Sequence, residues 1–173
     1  MKNKKAISGL VVTMIMMAMT IFAVAIVWGV VNNLIKDQTE TSASCFGILD
    51  KVSIEGRYTC FDDYSDSSKN VTRFQLSIGD IDVDGLLVSI TGAGGSKTFT
   101  LTNEEQAIPD LSYYNKDDVL TKLPEKNGGI TYEYVWAPSD PIPDLIKIAP
   151  IINGKQCEVS DTLAGIDNCS LLL

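Results

Sequence analysis

Hydrophobic and polar positions are first segregated along this chain and only later alternate. From Ala6 to Ile35 no residue is charged, and apolar residues occupy every angle of the helical cycle. Ile7, Leu10, Val11, Val12, Met14, Ile15, Met16 and Met17 open the run, and Val27, Trp28, Val30, Val31, Leu34 and Ile35 close it. As a helix it would be roughly 45 Å long at ~1.5 Å per residue, more than the ~20 residues a bilayer core needs. With no polar stripe, such a helix has to be buried all round, in lipid or among other helices. The helix is expected to continue past Ile35 to Thr41 and to join the next unit near Cys45.

After Lys36 the period changes to two. Val52–Tyr58, Val71–Ile78, Leu86–Thr91, Lys97–Thr102, Ile130–Trp136 and Leu145–Ile152 are predicted strands, rich in β-branched and aromatic residues. The turns between them have identifiable chemistry. Gly92-Ala93-Gly94-Gly95 and Asn127-Gly128-Gly129 supply positive φ, and Asn153-Gly154 predicts a tight hairpin turn. The pattern lapses from Glu104 to Lys126, which predicts a long loop with one helical turn around Asp117–Lys122. Within it Tyr113-Tyr114 reads first as cover for a sheet edge and second as a contact for a neighbouring subunit or ligand. Ala137-Pro138-Ser139-Asp140-Pro141-Ile142-Pro143 predicts a rigid extended connection. The expected fold is α+β: a long N-terminal hydrophobic helix followed by an antiparallel β-sandwich of Ig-like type.

Charge sharpens this division. The 173 residues carry 14 Lys and Arg, 22 Asp and Glu and no His, a formal charge of −8. Lys2, Lys4, Lys5 and Lys36 account for four of the basic residues; ten remain after residue 36 against all 22 acidic ones, which gives that segment −12. So acidic a chain offers no clustered Lys and Arg for nucleic acid. Without His it lacks the commonest general base and the commonest metal ligand. By the positive-inside rule, Lys2, Lys4 and Lys5 hold the N-terminus in the cytoplasm and send the acidic bulk outside.

Cys45, Cys60, Cys157 and Cys169 all follow the helix. An even count in an exported domain reads as two disulfides. Cys45–Cys60 with Cys157–Cys169 is the favoured pairing, since each pair brackets a short segment with turn signals; the crossed Cys45–Cys157 with Cys60–Cys169 would instead staple the two ends of the domain together. A zinc site has no Cys-x-x-Cys pair to support it. Asn70-Val71-Thr72 and Asn168-Cys169-Ser170 are acceptor triplets for N-glycosylation and agree with export.

Other motifs are weaker. Asp80, Asp82 and Asp84 before Gly85 copy the first half of a calcium loop, but position twelve is Thr91 in place of Glu, and Ile81 and Val83 suit strand pairing better. Gly94-Gly95-Ser96-Lys97-Thr98 lacks the Gly-Lys pair and following helix of a phosphate loop. No nucleophile with an activating base is visible, and no cofactor or catalytic residue is expected.

The junction Lys4-Lys5-Ala6-Ile7-Ser8-Gly9-Leu10-Val11-Val12 sets charges, then a small residue, then the apolar helix. This order resembles the class III leader of archaeal type IV pilins. Val11 stands where bacterial pilins carry Glu, and Ser8-Gly9 where many archaeal members have Ser-Pro. The resemblance implies cleavage between Ala6 and Ile7 by a prepilin peptidase, with residues 1–6 a leader, 7–43 a transmembrane and filament-core helix, and 44–173 a disulfide-bonded extracellular domain. It implies a membrane-inserted precursor that the pilus assembly machinery polymerises through residues 7–41 into a surface filament for adhesion. Two other readings compete: a secretory signal peptide cut after Ala23-Val24-Ala25, and an uncleaved anchor holding a monomeric binding module.

Overall fold

The computed structural model describes residues 4–48, 50–63, 70–93, 95–116, 120–137, 140 and 142–171, with backbone alone for 4–8 and 37–44. Two compact units are present, residues 1–43 and 44–173.

Helix α1 (Lys4–Cys45) is continuous over 42 residues, or ~63 Å at ~1.5 Å per residue. It ends four residues beyond the expected Thr41. The sequence supplies no proline to break it. The first positive-φ residue after the helix is Gly47, with φ 79°, a left-handed conformation that costs glycine nothing.

The second unit holds β1 (Val52–Ile54), β2 (Cys60–Asp63), β3 (Asn70–Ile78), β4 (Gly85–Gly92), β5 (Gly95–Thr102), β6 (Gln106–Ala107), β7 (Leu111–Tyr113), β8 (Leu120–Thr121), β9 (Gly128–Trp136), β10 (Pro143–Ile152), β11 (Lys155–Gln156) and β12 (Asp161–Ala164). In one sheet β3 is flanked by β9 on one side and by both β1 and β2 on the other, and β7 adds to β9. In the second, β10 is flanked by β4 on one side and by β11 and β12 on the other, and β5 adds to β4. β6 and β8 form a small third pair, and every named strand pairing is antiparallel. The fold is therefore α+β, an apolar helix followed by antiparallel sheets.

Strict alternation explains how the sheets share one core. Phe74, Leu76 and Ile78 of β3 face inward with Tyr132, Tyr134 and Trp136 of β9. Leu86, Val88 and Ile90 of β4 meet them with Ile146 and Ile148 of β10, all five wholly buried. Slipping any of these strands by one residue would turn its whole apolar row to water. The aromatic rings pack directly: Phe74 lies 5.6 Å from Tyr132, and Tyr134 meets Trp136 edge-on at 4.9 Å.

The six predicted strands are present, with Val52–Tyr58 shortened to β1 plus a 3-10 turn at Gly56–Tyr58. Asn153 and Gly154 both take positive φ, 52° and 70°, and join β10 to β11 as a two-residue hairpin. The stretch Glu104–Lys126 is not the expected loop, because β6, β7 and β8 lie in it. Of the helical turn expected around Asp117–Lys122, Leu120 and Thr121 are instead β8, and residues 117–119 lie outside the described residues, as do 94, 138, 139 and 141 of the other predicted connections.

The favoured disulfide pairing is overturned. Cys45 bonds Cys157, and Cys60 bonds Cys169, with Cα separations of 5.5 and 4.9 Å. Turn signals between neighbouring cysteines misled because β1 and β12, each lying between two of them, belong to different sheets that close on each other. Ile54 N donates to Asp161 Oδ2 at 2.8 Å across that closure, and a parallel bridge joins Phe61 to Asn168.

Candidate functional site

The most distinctive surface is α1. Gly9–Lys36 is 28 residues of mean hydropathy 2.7, and none of it is buried within the chain. Met14, Ile15, Met16 and Met17 are consecutive, so they point in all directions, and each is more than half exposed. A monomeric soluble protein does not leave so large an apolar surface in water. Two hydroxyls of the helix are satisfied within it: Thr13 Oγ1 donates to the Leu10 carbonyl and Thr20 Oγ1 to the Met17 carbonyl, each at 2.9 Å, so neither needs water as a partner. Ala6 and Ile7 belong to the first turns of the same helix, which begins at Lys4; Met1 to Asn3 lie outside the described residues.

The other sequence-derived positions are scattered over the second unit. Asn70 opens β3, opposite Trp136. The hydroxyl of its triplet, Thr72, is wholly buried and accepts a hydrogen bond from Trp136 Nε1 at 2.7 Å. Asn168 is half-buried; its Oδ1 accepts from Ser170 N at 2.9 Å, and the residue between them, Cys169, is disulfide-bonded.

Asp80, Asp82 and Asp84 do not converge. Lys126 Nζ lies 3.2 Å from Asp80 and 3.7 Å from Asp82, while Asp84 Oδ2 accepts from Gly154 N at 3.0 Å. Lys126, through its hydrogen bond first and its charge second, holds the Asp80 carboxyl below its ordinary value. Among the described residues no group of three or more His, Cys, Asp and Glu is placed to hold a metal ion.

Tyr113 ends β7, the strand that borders β9, and Tyr114 follows it at the surface. Tyr113 packs 5.8 Å from the Tyr132 ring, and its hydroxyl accepts from Lys122 N at 2.9 Å. Tyr114 lies under the Arg73 guanidinium, 4.9 Å from ring centre. Sequence reasoning missed the arrangement around Arg73, which also pairs with Glu133 at 3.2 Å and Asp62 at 3.6 Å. The signal was present in the alternation, since Arg73 and Glu133 hold outward positions between inward ones on β3 and β9. An open groove of about 650 Å³ runs beside it along β7, with Ile108, Pro109 and Lys116 among its walls.

No family model matches the chain, nor does any curated protein or solved structure.

Proposed function

We propose that this protein is a structural subunit of an extracellular filament of the archaeal type IV pilus kind, used in surface attachment. The observation that carries the reading is the 28-residue apolar helix that its own chain leaves uncovered, directly after a basic leader ending Lys4-Lys5-Ala6. The precursor sits in the membrane with its N-terminus cytoplasmic. A prepilin peptidase cuts between Ala6 and Ile7, and helices from many copies then replace lipid around one another. Close side-chain packing takes the place of lipid contact, and the helix brings no unpaired backbone group into the filament core. Head-to-tail contacts of this kind do not close, so they generate a fibre. The acidic second unit, read as an Ig-like sandwich of the pilin-ectodomain kind, forms the outer sheath, with glycans on Asn70 and Asn168. No cofactor, metal, nucleic acid or catalytic step enters this reading.

A second reading is favoured by the groove beside Arg73: a monomeric, membrane-anchored binding module that uses the groove for a ligand. One experiment separates the two. Surface material is sheared from cells, the high-molecular-weight fraction is collected, and the N-terminus of this protein is read by mass spectrometry. Ile7 as first residue in that fraction is the expected result. Met1 retained, with the protein in the membrane pellet, overturns the filament reading in favour of the anchored module.

A further inference from the structure

The four cysteines sit at the ends of two short stretches of chain. Residues 45–60 carry β1, and residues 157–169 carry β12. These are edge strands of three and four residues, and each pairs with one neighbour only: β1 with β3, β12 with β10. Cys45 bonds Cys157 and Cys60 bonds Cys169, so the two stretches close into one covalent ring. The helix enters this ring at Cys45, the C-terminal tail leaves it at Cys169, and the long strands β3, β4, β5, β9 and β10 hang from it between Cys60 and Cys157.

We propose that this ring is a mechanical shunt, which carries tension between the helix and the C-terminal end so that the sheets are not loaded. Without it, a pull on α1 would reach the sandwich through β1, whose ladder with β3 is three residues long. A pull on the C-terminal tail would likewise reach β12 first. With it, the covalent path from Cys45 to Cys169 crosses one disulfide and twelve residues, 157 to 169, or fifteen residues, 45 to 60, and the other disulfide. Either bridge alone preserves a short path, so the device is redundant. Neighbour pairing would lack this property, because the whole span from Cys60 to Cys157 would remain in series. The two strands are also tied to each other without the core: Ile54 N donates to Asp161 Oδ2.

The inference needs only that tension runs between the helix and the C-terminal end. It does not depend on the filament reading, which the N-terminal mass spectrum tests by itself.

Full-length protein in detergent, with one handle at each terminus, is stretched in a single-molecule force experiment before and after reduction. The Cys45–Cys157 bridge hides 112 residues, about 400 Å of contour at ~3.6 Å per residue. The oxidised protein is expected to extend by no more than about 60 Å across the second unit, since ~3.6 Å per residue over its short paths allows no more; reduction is expected to release the remaining ~400 Å. The double variants C45S/C157S and C60S/C169S should each stay short, and the quadruple variant should be long. An oxidised protein that lengthens by about 350 Å, the contour of the span from Cys60 to Cys157 at ~3.6 Å per residue, overturns the proposal. So does a reduced protein that stays short, or a double variant that lengthens fully. If the variants fail to fold, the oxidised and reduced wild type still decide between these outcomes.

Discussion

Trp136 Nε1 donates a hydrogen bond to Thr72 Oγ1 at 2.7 Å inside the core. The same hydroxyl belongs to the third residue of the Asn70-Val71-Thr72 triplet. In the folded chain that hydroxyl is wholly enclosed.

Thr72→Val is close to isosteric and removes the hydroxyl that accepts the indole bond. The indole N–H is then buried without a partner, which costs about 1–3 kcal/mol. A thermal melt should show the loss, and Thr72→Ser, which keeps the hydroxyl, should recover most of it. A melt of Thr72→Val unchanged from wild type would show that the bond contributes nothing.

Gly92 has no room for a side chain. A Cβ there would stand 2.5 Å from the Ile142 carbonyl oxygen and 3.3 Å from Pro143 Cα, where the register between β4 and β10 shifts. Both obstacles are backbone, so Gly92→Ala has to displace a strand end and is expected to cost about 1–3 kcal/mol. Chemical denaturation should show a lower midpoint; an unchanged midpoint would show that the strand end yields freely.

Burial first, and the neighbouring Tyr113 second, raise the Tyr132 hydroxyl well above its ordinary pKa of 10.0. Burial raises Tyr134 as well. A group that holds its proton more tightly when folded contributes stability that is fully present below its unfolded pKa and is lost as pH rises beyond it. Urea midpoints should therefore fall above about pH 10, where unfolded tyrosine ionises. Tyr132→Phe should flatten this alkaline arm without abolishing it, and should cost about 1 kcal/mol at neutral pH through the hydrogen bond to the Lys122 carbonyl.

Phe22 lies near the middle of the apolar span and is 70% exposed. Phe22→Lys should oppose membrane insertion by about 2.5–3.5 kcal/mol, whereas Phe22→Leu should not. Across the whole span the twelve other Leu, Ile, Val and Phe residues outweigh one Lys at about 0.3–0.6 kcal/mol each, so both variants and the wild type should stay in the pellet on alkaline carbonate extraction. Release of the wild-type protein into the supernatant would refute a membrane-spanning role for α1.

The two cross-links close loops of more than 100 residues, with separations of 112 and 109. On the chain-entropy account, one such bridge is worth about 4–5 kcal/mol. Reduction should lower the melting temperature of the second unit strongly, whereas loops of twelve and fifteen residues would be worth only about 3 kcal/mol each.

Local pattern made much of this legible. The long apolar run of α1 admits no other element, and the alternation of β3, β4, β9 and β10 assigns Phe74, Leu76, Ile90 and Ile146 to the core before any contact is known. Asn153-Gly154 declares its hairpin through the two positive φ values that its residue types tolerate. The short strands were not legible. β6, β7, β8, β11 and β12 are four residues or fewer, too short for a period to register; β7, β11 and β12 form against the free edge of a longer neighbour, and β6 and β8 against each other. Around Arg73 the alternation showed Glu133 but not Tyr114, which reaches it only once β7 has joined β9.

Hydrophobicity and periodicity are properties of neighbouring residues, so the division of the chain into an apolar helix and an acidic β unit is written in its local pattern. Which cysteines meet is settled in three dimensions. That choice depends on β1 of one sheet closing against β12 of the other, between residues more than 100 positions apart, and no local signal carries a distance of that kind.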